Sequence, residues 1–119
     1  MEITRLDPGP RMSEATVCNG IAWLAGQIAE DHPGAPVGEQ MREITARIDA
    51  VLARLGSDKS RLLSATIYLA DIRDFAEMNA VWDAWVAPGK TPARATVEAR
   101  LAAPAYAVEV QVVAALETP

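Results

Sequence analysis

Residues 94–101 run Arg94-Ala95-Thr96-Val97-Glu98-Ala99-Arg100-Leu101, apolar at every odd position and polar at every even one. A period of two belongs to a strand whose successive side chains point to opposite faces, so the segment predicts a strand with one apolar and one chemically rich face. Val108-Glu109-Val110-Gln111-Val112 repeats the alternation beyond Pro104. The two stretches read as a final pair of strands turning around that proline. In that register Glu109 lies opposite residue 98 or 99, and Glu109 and Arg94 are separated by roughly 13 to 16 Å at about 3.3 Å per residue. A small molecule touching both would therefore bridge two subunits.

Upstream, Ile3 to Leu6, Ala15 to Cys18 and Ile21 to Ile28 are short apolar stretches. Asn19-Gly20 between the last two is a hairpin signal, because both residues tolerate positive φ. Glu30 to Gly38 collects Pro33, Gly34, Pro36 and Gly38 and reads as a loop. From Glu39 the period lengthens. Met41, Ile44, Ile48, Val51, Leu52 and Leu55 form the stripe of an amphipathic helix that Gly56 stops. Leu62 to Ala70 reads as a buried strand. Asp74 with Glu77 predicts a reciprocal cap for a second helix carrying Phe75, Met78, Trp82, Trp85 and Val86 and ending at Pro88-Gly89. The order is β-β-β-α-β-α-β-β, an α+β domain over residues 1–119 with both helices on one side of the sheet.

Composition narrows the function. The chain has 119 residues, 50% hydrophobic and 23% charged, an ordinary globular balance. Eleven Lys plus Arg against 16 Asp plus Glu give a net charge of −5, which disfavours nucleic-acid partners. One cysteine, Cys18, and one histidine, His32, leave no intrachain disulfide, thiolate cluster or Ser-His-Asp triad to build. We expect no protein-bound metal, no membrane partner and, from the absence of a signal-like pattern in Met1 to Arg5, a cytoplasmic location. His32, within Asp31-His32-Pro33-Gly34, reads as a solvated loop residue.

The alternating strand places Arg94, Thr96 and Glu98 together, and we expect them to share the face left free by the helices with Glu109 and Gln111. Arg94 is either a strand cation in water or a planar fork for a carboxylate. Glu109 is either a cross-strand partner of Arg100 or, if enclosed, a carboxylate able to orient water. Gly26 marks either a bend or a close backbone approach. Asn79 is by default a helix-surface amide, and Trp23, Trp82 and Trp85 are packing residues.

Pro92-Ala93-Arg94-Ala95-Thr96-Val97-Glu98 with Leu101 and Val108-Glu109-Val110 resembles the C-terminal signature of the RidA/YjgF family. Gly26-Gln27, Gly56-Ser57, Ala65-Thr66 with Leu69, Asp74-Phe75 and Met78-Asn79 extend the resemblance along the chain, with features of the YoaB-like branch. The resemblance implies a chorismate-mutase-like fold, a homotrimer with clefts between subunits, and hydrolysis of 2-imino or enamino acids to 2-oxo acids and ammonia without a cofactor. Arg94 matches the family's carboxylate-binding arginine and Glu109 the glutamate associated with the hydrolytic water. Thr96, Gly26 and Asn79 match pocket positions. Thr96 stands where the family commonly has cysteine, Ala25 where it often has serine, and Met12 where an aromatic residue is usual. The alternative is a noncatalytic trimer that binds small carboxylate metabolites.

Overall fold

The computed structural model describes residues 1–116. Among these, eight elements build the fold: β1 (Thr4–Leu6), β2 (Ala15–Cys18), β3 (Ile21–Leu24), α1 (Val37–Arg54), β4 (Leu62–Leu69), α2 (Phe75–Trp85), β5 (Ala93–Glu98) and β6 (Val108–Ala115). The sheet order is β1-β2-β3-β6-β4-β5. Asn19 and Gly20 have φ of 53° and 76°, the left-handed pair a two-residue hairpin between β2 and β3 requires. The α+β, chorismate-mutase-like architecture expected from the resemblance is the one observed.

Both helices form close to where the sequence places them, with instructive differences at their ends. Helix α1 starts at Val37, ahead of Glu39, because the chain enters it from Pro36 at φ −57° and ψ 154°. At its other end Gly56 N–H donates to Ala53 O at 3.1 Å and Ser57 N–H to Leu52 O at 2.9 Å, with Gly56 at φ 74°. These are the two bonds of a Schellman cap. The expected Asp74/Glu77 cap on α2 does not form. A tight turn over Ile72–Asp74 leaves Asp74 at φ −80° and ψ 3°, outside the extended geometry from which a capping side chain reaches back. Glu77 instead crosses to α1, where its Oε2 accepts from Gly38 N–H at 2.8 Å.

The core lies between the helices and one face of the sheet. Met41, Ile44, Ile48 and Leu52 of α1 and Met78 of α2 meet Ile67, Leu69, Val108, Val110 and Val112, all fully buried or nearly so. Alternate residues of β4 and β6 therefore face the other way. Tyr68 stands beside Glu109 and Thr66 beside Gln111. Trp23 of β3, beside Val113, is 43% exposed, so it is not a core residue as Trp82 and Trp85 are.

The final pair of strands is not a hairpin. Strand β5 is an edge strand parallel to β4, and β6 inserts between β3 and β4. A parallel neighbour needs a crossover, and α2 supplies it. The pairing also reverses the expected facing of β5. Arg94 is in register with Ala65, which is 3% exposed in the core, so Arg94, Thr96 and Glu98 share the helix side of the sheet. Ala95 and Val97, beside Thr66 and Tyr68, share the open side. The strand ends at Glu98, short of Leu101.

Segment 99–107, which links β5 to β6, is pinned by a residue that carries no sequence signal. Gln40 of α1 is fully buried. Its Nε2 donates to Ala35 O at 2.9 Å and Ala105 O at 3.0 Å, and its Oε1 accepts from Ala107 N–H at 2.9 Å.

Candidate functional site

Arg94 and Asn79 meet in the gap between β5 and α2. Nη1 of Arg94 donates to Oδ1 of Asn79 at 2.8 Å, the sole hydrogen bond of the Arg94 side chain among the described residues. Two rings of α2 flank the guanidinium, with its carbon 5.3 Å from the Trp82 centroid and 5.8 Å from that of Phe75. Delocalised charge over aromatic faces is held without being neutralised. Asn79 is therefore no plain helix-surface amide, and Arg94 is no strand cation loose in water. Most of its five N–H donors remain available, in a geometry suited to a two-pronged acceptor.

Thr96 lies on the same side of β5. Its Oγ1 is buried and has no hydrogen-bond partner among the described residues. A buried hydroxyl without a partner costs on the order of 1–3 kcal/mol.

Glu109 is half-buried on the opposite face. Among the described residues its carboxylate has neither hydrogen-bond nor ion-pair partner, so the cross-strand pair with Arg100 is not made. Glu109, Tyr68, Arg100 and Gln111 line a cavity of about 320 Å³ with Ala99, Leu101 and Ala102. A larger cleft of about 720 Å³, bounded by Ala70, Glu98 and the segment from Ala99 to Tyr106, contains neither Arg94 nor Glu109. It holds less of the chemistry despite its size.

Gly26 proves to be a close approach. It packs directly on Glu109, such that an added Cβ would lie 2.9 Å from Cδ and 3.3 Å from Cγ of that residue.

Gly26 and Glu109 thus form one group, and Arg94, Asn79 and Thr96 another. Within one chain the two do not converge. Arg94 is aligned with Ala65 and Glu109 with Tyr68. Two strand spacings of about 4.8 Å and three residues of about 3.3 Å set their backbones roughly 14 Å apart, with side chains on opposite faces. The separation expected from a hairpin survives, through a different register. Phe75 and Trp82 escaped the sequence reading because a helix's apolar stripe looks alike whether it meets the core or a cation.

His32 is not simply solvated. It sits 2.7 Å from Glu43 Oε1, and that hydrogen bond, with the nearby charges of Glu43, Glu39 and Asp31, raises its pKa above the ordinary value. Among the described residues no group of His, Cys, Asp and Glu side chains is arranged to hold a metal ion. No helix there is long and apolar enough to cross a membrane.

Comparison with known proteins agrees with this architecture. The family described as Endoribonuclease L-PSP matches residues 2–116. A RutC family protein of Haemophilus ducreyi is 46% identical over 114 residues, covering 96% of this chain and 97% of the relative. The RutC family protein YoaB of Escherichia coli is 45% identical over 116 residues, covering 98% and 100%. A crystal structure of a YjgF family member from Neisseria meningitidis superposes with a TM-score of 0.95 at 49% identity, covering 100% of this chain and 98% of that one. The chain belongs to the Endoribonuclease L-PSP family, the YjgF/RidA family.

Proposed function

We propose that this protein is a homotrimeric, cofactor-independent hydrolase of reactive 2-imino and enamino acids, releasing 2-oxo acid and ammonia. The observation that carries the reading is the division of the chemistry. A held but unneutralised arginine lies on one face of the sheet, and on the other a carboxylate unpaired among the described residues. Only a cleft between subunits brings two such groups around one small molecule. The half-exposed Trp23 on the open sheet face supports burial of that face against another copy.

In such a cleft Arg94 would bind the substrate carboxylate through two parallel hydrogen bonds, with Thr96 facing the same subsite. Glu109 would take a proton from water as its oxygen adds to the imine carbon, and would return that proton to nitrogen. In the resulting carbinolamine Glu109 would carry the hydroxyl proton to the amino nitrogen, so that the C–N bond breaks with release of ammonia as the C=O bond forms. The imine carbon is already electrophilic, so aiming the water is the main requirement. The description of the family as an endoribonuclease gains no support from a chain of net charge −5 with a single histidine.

The test is hydrolysis of freshly generated 2-iminopropanoate by the purified trimer, measured against an enzyme-free control. Acceleration is expected. No acceleration, with 2-oxo acids still bound through Arg94, would favour the noncatalytic binding protein.

A further inference from the structure

We propose that Gly26 is the positioning residue for the Glu109 carboxylate: the lack of a side chain at position 26 creates the space in which that carboxylate is held. The inference rests on the reading of Glu109 as the group that aims water.

Backbone freedom does not explain this glycine, since Gly26 is not among the residues with positive φ. Space does. The Glu109 side chain occupies the volume a Cβ would take, with Oε2 nearer to that point than Cδ at 2.9 Å and Cγ at 3.3 Å. The strand end that carries Gly26 cannot readily retreat, because it is tied on both sides. Ala25 N–H donates to Glu14 O at 2.8 Å. Gln27 N–H donates to Val110 O at 2.8 Å, and Val110 N–H returns a bond to Gln27 O at 3.1 Å. Gln111 Nε2 donates to Leu24 O at 3.0 Å. The last three bonds join the segment to β6 at the two residues following Glu109, so carboxylate and glycine are held in one frame.

An alanine at 26 must therefore move the carboxylate, and the open direction is the cavity shared with Tyr68, Arg100 and Gln111. There the guanidinium of Arg100 is an alternative partner that would draw Glu109 away from water. The atoms nearest to a Cβ at position 26 all belong to Glu109, the group that aims water, and none to a residue that holds the substrate carboxylate. Loss of the glycine should fall on turnover and spare carboxylate binding.

The experiment is a double-mutant cycle of Gly26→Ala and Glu109→Gln, with crystal structures of the parent and the Gly26→Ala protein. A misplacement of about 1 Å costs on the order of 100-fold in rate. Gly26→Ala should lower kcat by about that factor, with KM for 2-iminopropanoate and Kd for 2-oxobutanoate within about twofold of the parent, and should add no further loss to Glu109→Gln. Equal losses in both backgrounds, or an unchanged kcat, would overturn the proposal. The crystal structures decide it even if the parent turns over no imine. Glu109 should be displaced by about 1 Å or more with the backbone at 24–27 in place, whereas an unmoved carboxylate over a shifted backbone would refute the positioning role. If Gly26→Ala fails to fold, Gly26→Ala combined with Glu109→Ala, which removes the clash, should fold. Failure of both would also refute it.

Discussion

Nη1 of Arg94 reaches Oδ1 of Asn79 at 2.8 Å, so an amide on α2 fixes the cation at the exposed edge of the sheet. A hydrogen bond to a charged group contributes about 1.5–3 kcal/mol, and here it also orients the guanidinium plane. Asn79→Ala should raise KM for 2-iminopropanoate about tenfold and lower kcat less, because a loosely held carboxylate is first a binding defect. Unchanged steady-state constants in a folded Asn79→Ala protein would show that Arg94 needs no such support.

Phe75 gives a finer version of the same test. Its ring is 41% exposed and 5.8 Å from the Arg94 guanidinium, so it can be changed without opening the core. An exposed cation–π contact is worth about 0.5–1 kcal/mol. Phe75→Leu should weaken 2-oxobutanoate binding about two- to fivefold by calorimetry, and Phe75→Tyr should bind like the parent. Equal affinities for Leu and Phe would remove the ring from the picture.

Much of this molecule is legible in its sequence, and what is not has a physical reason. Helix α1, the Asn19-Gly20 hairpin and the alternation of β6 follow from local periodicity and turn chemistry. Alternation in β5 correctly separates Arg94 and Thr96 from Ala95 and Val97, yet which set meets the helices depends on pairing with β4, a nonlocal choice. The same choice moves β6 away from β5 and turns an assumed hairpin into a parallel edge. Arg94, Glu109 and Asn79 were nameable from motifs. Gly26 was nameable too, but its close packing on Glu109 was not, because a bend and a close approach leave the same letter.

Gln40 is the buried polar residue whose loss should cost most. It serves three backbone groups, two of them in the segment that links β5 to β6. Gln40→Leu keeps the volume approximately but strands Ala35 O and Ala107 N–H, while Ala105 O keeps the bond from Gly34 N–H at 2.8 Å, at about 1–3 kcal/mol for each group left without water. Denaturant unfolding should show a loss of about 2 kcal/mol or more. A loss below about 1 kcal/mol would mean that water replaces the amide.

His32 supplies a pH dependence. The Glu43 hydrogen bond raises its pKa, so the folded protein holds this proton more tightly than the unfolded chain. The resulting stabilisation is complete below the unfolded value near 6.5 and is lost as pH rises through the higher folded value. Histidine NMR titration should place His32 above about 6.5 in the parent, and Glu43→Gln should bring it down. A parent value at or below 6.5 would exclude this pairing in solution.

The central claim is that one site takes Arg94 from one subunit and Glu109 from another, and mixing two inactive variants tests it directly. Arg94→Ala and Glu109→Gln proteins should each lose most imine hydrolysis as homotrimers. Unfolded and reassembled together in equal amounts, random trimers restore an intact Arg94/Glu109 pair in about one quarter of their clefts, because each cleft draws independently on two neighbouring chains. Activity recovering to about a quarter of the parent's per subunit is the predicted result. A mixture that stays as inactive as either variant alone would contradict a shared site.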